Sequence, residues 1–81
     1  MRFTVVIEST HEPEHPGWYY AHIPALDLTT HGLGVEAALA AARELASGWV
    51  AELNASGIDV PVEGQGFVSQ IEISEDAFQG R

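Results

Sequence analysis

The sequence contains no cysteine and no lysine, so its three arginines are the only side chains that carry a permanent positive charge. Without cysteine the chain forms no disulfide bond and offers no thiolate to a metal ion. Its apolar runs are far shorter than the roughly 20 residues that cross a bilayer, and the N-terminus has no signal-peptide pattern. We therefore expect a soluble, unprocessed protein of the cytoplasm.

Negative charge dominates the sequence, because twelve aspartates and glutamates give a formal net charge of -9. Binding to a phosphate backbone requires clustered lysine and arginine, so we expect no direct nucleic-acid binding. An acidic surface favours a basic protein partner, through steering and complementary potential. The same charge would also keep a protein in solution without any partner, and both interpretations stay open at this point.

One long amphipathic helix organises the 81 residues, which we expect to form a single domain (1–81). Gly34 is the best N-cap and Gly57 is placed for a left-handed C-cap, while the interior Gly48 indicates close packing or a slight bend. The expected buried stripe recurs every three or four residues. It comprises Val35, Ala38, Leu39, Ala42, Leu45, Ala46, Trp49, Val50 and Leu53.

The remaining segments read as strands that form a sheet under this helix. Alternating branched and aromatic residues predict strands at 2–9, 18–23, 28–31 and 67–74. Pro24 ends the second strand because it lacks an N–H, and Gly32 is expected to break the third. The predicted fold is α+β, in the order β-β-β-α-β, with a mixed sheet of about four strands and the helix packed on one face.

The first two strands carry bulky apolar groups on both sides, whereas one helix covers only one face of a sheet. An exposed apolar patch usually marks an interface. The sequence therefore gives, as candidate partner-binding residues, Trp18, Tyr20, His22, Phe3 and Val5. It leaves open whether a second copy or a different protein covers them, and also whether the aromatic cluster only stabilises the strands.

Five segments carry a family resemblance: FTVVIE, GWYYAHIP with a leucine two residues after the proline, TTHG, the helix VEAALAAARELASGWVAELNASG, and IDVPVE. In this order and spacing, the chain from Phe3 to Ile73 resembles the N-terminal domain of HicB-like antitoxins. The resemblance implies a truncated ribonuclease H-like fold. It also implies a protein that binds and blocks a HicA-type toxin, which is a small basic enzyme that cleaves messenger RNA and has a double-stranded-RNA-binding fold.

The sequence departs from the family pattern in three respects. Members that bind DNA carry an added C-terminal helix-turn-helix or ribbon-helix-helix domain, and without one we expect no autorepression by this chain. The turn at 25–28 is shorter and lacks a glycine, and Gly34 stands where the family has serine or threonine. These last two departures concern local geometry rather than the fold.

No group of residues predicts catalysis, and we expect no enzyme, no catalytic residue and no cofactor. A ribonuclease H-like site needs several carboxylates around two metal ions. The only candidates are Glu8, Asp27 and Glu72, and no basic groove would hold a substrate.

The histidines are expected to be structural. His11 and His15 could bind Zn or Ni, but Pro13 prevents the helix that would give their spacing meaning, so a solvated turn is preferred and metal binding stays open. His22 and His31 are expected to be packed or hydrogen-bonded.

Two functional hypotheses follow. The preferred one is an antitoxin-like module that masks a HicA-type toxin. The alternative is a stand-alone homo-oligomer, a dimer or tetramer, that uses the same face for itself and binds a small ligand or metal at the subunit boundary. A basic protein encoded in the adjacent reading frame would favour the first.

Overall fold

A computed structural model describes residues 1–64 and 69–74 of the chain. Strands β1 (Val6–Ser9), β2 (Trp18–Ile23) and β3 (Leu28–Leu33) form an antiparallel sheet with β2 in the centre, and helix α1 spans Val35–Ala55. A 3₁₀ turn, Pro24–Leu26, joins β2 to β3. The prediction of a small α+β fold with one long helix is confirmed.

Strand β1 is shorter than the predicted 2–9. Val6 pairs with His22, so Val5 falls opposite Ile23, the last residue of β2, and the residues before Val5 run past its end. Pro24 follows, and proline has no N–H to donate to a neighbouring strand. The start of the predicted strand therefore has no partner in β2, and the first paired residue of β1 is Val6.

Strand β3 is longer than predicted, because Gly32 does not break it. Gly32 pairs with Tyr19, and Leu33 pairs with Trp18. A Cβ atom on Gly32 would lie 2.5 Å from the backbone nitrogen of Ala38. The absence of a side chain thus lets the strand continue directly beneath the start of α1.

Both ends of α1 lie where the sequence places them. Gly34 is the N-cap, with φ 86° and ψ 161° and no side-chain cap. After the last helical residue, Gly57 is left-handed with φ 71°. The N–H of Ile58 donates to the carbonyl of Leu53 (2.9 Å) and that of Gly57 to Asn54 (3.1 Å), which is the Schellman pattern of helix termination.

The core between sheet and helix is small and depends on alanine. Ala38 and Ala42 are fully buried and pack against Ala21, Ile23 and Leu26. Because alanine has only a methyl group, the helix approaches the sheet closely, as its alanine content indicates. Ile23, 1% exposed, is the largest fully buried side chain among the described residues.

The predicted burial of the whole apolar stripe of α1 is wrong for four of its nine members, although Leu53 at its end is buried. These four remain 38 to 44% exposed: Val35, Leu39, Leu45 and Trp49. A helix of 21 residues is about 32 Å long, whereas three strands spaced about 4.8 Å apart make a narrow sheet. The sheet is too small to cover the stripe. Gly48 is not closely packed either, since its Cβ would meet no described atom within 4 Å.

The predicted fourth strand, 67–74, is not shown. Residues 67 and 68 lie outside the described residues, and 69–74 have no strand assignment. Ile71 and Ile73 are 82% and 59% exposed. The described sheet is accordingly antiparallel throughout, and a mixed sheet stays a prediction. Within residues 1–64 and 69–74, no helix has the length and apolar character that crossing a membrane requires.

Candidate functional site

The sheet has one face covered by α1 and one face on which no described helix packs, here called the open face. Residues opposite each other in antiparallel strands share a face. Ala21 and Ile23 point towards α1, so their neighbours in β2 point away from it. By the register, the open face consists of Val6, Glu8, Trp18, Tyr20, His22, Thr29, His31 and Leu33.

Three of the five predicted partner-binding residues lie together on the open face. Trp18, Tyr20 and His22 occupy alternate positions of β2, the central strand. The ring of Trp18 lies beside that of His31, with centroids 5.4 Å apart and the planes tilted by 45°. Leu33, opposite Trp18, is 60% exposed. The expectation that this face presents aromatic surface is therefore confirmed for β2, and Leu33 of β3 adds apolar surface that the sequence did not predict.

His22 is tied to the neighbouring strand. Its Nδ1 lies 2.7 Å from Oγ1 of Thr29, the residue directly opposite in β3. The predicted hydrogen-bonded role of His22 is confirmed by this contact. The bond fixes the imidazole on the open face, where it borders Tyr20 along the strand.

The loop between β1 and β2 folds back over one end of the open face. The amide of His15 donates to the carbonyl of Glu12 (3.0 Å), and that of Thr10 donates to the carbonyl of Trp18 (3.0 Å). These turns place the Glu12 carboxylate 3.4 Å from the Tyr20 hydroxyl and 3.9 Å from Nε2 of His15. The loop therefore contacts the aromatic residues of the open face, in addition to connecting β1 to β2.

Together the loop and the strands enclose a small concave site, here called the aromatic pocket. It has a volume of about 350 Å³ and is lined by Thr10, Glu12, His15, Trp18, Tyr20 and His31. Among the described residues, Glu12 is the one carboxylate in its wall, beside the imidazoles of His15 and His31. Thr10 Oγ1 is buried and has no hydrogen-bond partner within the described part of the chain.

Phe3 and Val5 lie elsewhere. They are partly buried and pack against the core on the side of α1, because they share the alternation of Ile7, which pairs with the buried Ala21. The five predicted residues thus divide between two faces of the sheet. The sequence pattern already contained this division, since Phe3 and Val5 have the opposite alternation to Val6.

A second and larger cavity, the side groove, lies between the start of the chain and α1. Its volume is about 770 Å³, and its walls include Phe3, Val5, Ile23, Leu39 and Val50. It also contains two of the three arginines, Arg2 and Arg43. The groove adjoins β1, which is an edge strand of the described sheet.

Neither a metal site nor a ribonuclease H-like carboxylate group is assembled in residues 1–64 and 69–74. No three histidines, aspartates or glutamates there are arranged to hold a metal ion. Glu8, Asp27 and Glu72 are all described and form no such group. His11 has a left-handed backbone, with φ 57°, in an exposed turn, whereas His15 is directed towards Glu12.

Sequence reasoning missed two contributors to the open face. A strand that ends at Gly32 leaves out Leu33, although the alternation of Leu33 with His31 continues β3. The sequence predicts Glu12 in a solvated turn, and no local pattern indicates that the loop bends back towards Tyr20. Comparison of the chain with protein-family models, curated proteins and solved structures gave no significant match, so the resemblance to HicB-like antitoxins stays a prediction.

Proposed function

We propose that this chain is a cytoplasmic protein-binding module without catalytic activity, a HicB-like antitoxin that neutralises a small basic HicA-type toxin by masking it. The observation that carries the proposal is the open face, where the exposed Tyr20 and Leu33 and the partly exposed Trp18 form aromatic and apolar surface. Interfaces are enriched in aromatic residues, and tyrosine and tryptophan often dominate their energy.

Charge supports a basic partner. The chain carries a formal net charge of -9, and Glu8 and Glu12 lie on or over the open face. Complementary potentials accelerate encounter, while desolvated aromatic residues supply most of the binding free energy. A stable complex buries about 800 Å² on each partner. The open face alone is small for that area, so the β1–β2 loop belongs to the proposed interface.

The test is neutralisation of the toxin in cells and by the purified proteins. Trp18→Ala and Tyr20→Ala should abolish it while circular dichroism and the unfolding midpoint show an intact fold. Trp49→Ala is the matched control, because Trp49 is an exposed tryptophan on α1, away from the open face. If the variant that carries both Trp18→Ala and Tyr20→Ala still neutralised the toxin fully, and Trp49→Ala abolished neutralisation, the interface would lie on the helix and the proposal would be contradicted.

A second candidate function is a homo-oligomer, a dimer or tetramer, in which a second copy of the chain covers the same open face and a small ligand or metal binds at the subunit boundary. The exposed side chains of Tyr20 and Leu33 favour it, because an exposed apolar patch usually marks an interface. Light scattering tests this candidate, since a strict monomer at high concentration would contradict it.

The described contacts also support the fourth strand of the HicB-like fold. The Thr4 amide and its hydroxyl both donate to the Glu63 carboxylate, the latter at 3.0 Å, which holds the chain after α1 beside the start of β1. We propose that 69–74 pair with the free edge of β1 and place Ile71 and Ile73 over the side groove. Backbone amide exchange measures this directly: protection along 69–74 is expected, and uniformly fast exchange there would overturn it.

A further inference from the structure

The aromatic pocket has a composition that the masking of a toxin does not by itself require. Its wall combines one carboxylate, Glu12, with the rings of His15, Trp18, Tyr20 and His31, and neither described arginine lines it. A carboxylate beside aromatic rings is complementary to a cation that is planar or only weakly hydrated. At about 350 Å³ the pocket is near the lower end of ligand-site volumes, which suits one side chain better than a large ligand.

The pocket is held in place before any ligand arrives. Trp18 and His31 belong to the paired strands β2 and β3 and contact each other through their rings. Glu12 is fixed from two directions, by the turn that ends at His15 and by the Tyr20 hydroxyl. Such preorganisation lowers the entropic cost of binding. The carboxylate side chain is still 49% exposed, so an incoming donor can reach it.

We propose that the aromatic pocket binds an arginine side chain of the partner protein. The guanidinium donates hydrogen bonds to the Glu12 carboxylate and stacks against the ring of Trp18. Arginine fits better than lysine because its planar fork matches a carboxylate and lies flat on an aromatic face. A metal ion fits less well, since the described residues offer no group of three ligands here. The basic partner itself is taken from the proposed function.

The inference is tested without any toxin by nuclear magnetic resonance. N-acetyl-arginine amide is titrated into the ¹⁵N-labelled protein at about pH 8, where imidazole is ordinarily neutral. The neutral isostere N-acetyl-citrulline amide is the control ligand. The arginine probe should shift the Trp18 indole N–H and the backbone amides of Glu12, Tyr20 and His31, and leave the Trp49 indole unchanged. Equal shifts with both probes, or shifts at Trp49 alone, would overturn the inference.

Matched variants show which side chains contribute to the affinity for the arginine probe. Glu12→Gln should weaken the arginine probe about three- to fivefold, as expected for a partly exposed ion pair. Glu14→Gln removes the same charge two residues away, outside the pocket lining, and should leave the affinity unchanged. Trp18→Leu should also weaken binding of the arginine probe. Because this variant lacks the Trp18 indole, its titration is monitored by the backbone amide resonance of Tyr20. Equal effects of Glu12→Gln and Glu14→Gln would show only a general charge effect and contradict the site.

The two proposals fail in different ways. If the arginine probe binds as described but the chain neutralises no HicA-type toxin, the pocket stands and its partner is a different basic protein. If neutralisation requires Trp18 while the probe does not bind, the arginine pocket is wrong and the masking function stands.

Discussion

Gly32 in β3 and Ala38 in α1 lie so close that no side chain fits between them. A Cβ atom on Gly32 would come within 2.5 Å of the Ala38 backbone nitrogen and 2.8 Å of its Cα. The clash is with backbone, which cannot rotate away as a flexible side chain would. This contact sets how closely the first turns of the helix rest on the sheet, and hence the position of β3, which carries His31 and Leu33 on the open face.

Gly32→Ala should therefore destabilise the protein by about 1 to 3 kcal/mol, the usual cost of overpacking. Urea unfolding followed by circular dichroism measures the change. Gly48→Ala is the control in the same chain, since that Cβ meets no described atom within 4 Å. Alanine there should stabilise the helix by about 0.5 to 1 kcal/mol. The close contact would be refuted if both substitutions had the same sign.

Gly34→Ser tests whether side-chain capping or backbone geometry has the larger effect on stability at the start of α1. Serine is a preferred N-cap residue, but it gains only a few tenths of a kcal/mol over glycine. Gly34 has φ 86° and ψ 161°, a region that is essentially restricted to glycine and costs other residues about 1 to 3 kcal/mol. We expect Gly34→Ser to lower the unfolding midpoint relative to the unchanged protein, and Gly34→Ala to lower it as well. A higher midpoint for the serine variant would show that the backbone relaxes.

Ile23 should be the most sensitive apolar position of the described core. It is 1% exposed, pairs with Leu28 of β3 and packs against Ala38 and Ala42 of α1. Ile23→Val should cost about 0.5 to 1.5 kcal/mol and Ile23→Ala about 2 to 5 kcal/mol, which is a large share of the stability of a small domain. Val62→Ala, at an 87% exposed position, should stay within about 0.5 kcal/mol. Equal denaturation midpoints for all variants would contradict the described core.

Glu63→Ala should release the chain after α1 from the start of β1. Its carboxylate accepts hydrogen bonds from both the amide and the hydroxyl of Thr4. Amide exchange at Thr4 should become faster, while the free energy of unfolding changes by at most about 1 kcal/mol because the bonds are exposed. Asp59→Ala removes an acidic residue from the same loop without this contact and should leave exchange at Thr4 unchanged. Faster exchange in both variants would indicate a general charge effect instead.

The sequence by itself determined the local features. Pro24 ends β2 because it has no N–H, Gly34 and Gly57 delimit α1 because of their backbone freedom, and alternation locates the strands. These features depend on neighbours within a few residues, and Pro24, Gly34 and Gly57 lie at the element ends that the pattern predicts. Alternation also gives the bounds of β2, whereas β1 starts later and β3 ends later than predicted. The same alternation also separates Phe3 and Val5 from the open face once the register of β1 and β2 is known.

Tertiary structure decided which surfaces are exposed and what meets on them. The length of α1 relative to a narrow sheet leaves Leu39 and Trp49 half-exposed, although their spacing is that of a buried stripe. The approach of β3 to the helix explains why Gly32 continues a strand. The Glu12 carboxylate contacts the Tyr20 hydroxyl only because the loop between β1 and β2 folds back over the open face. Burial and such contacts depend on distances between segments far apart in the chain, which periodicity does not encode.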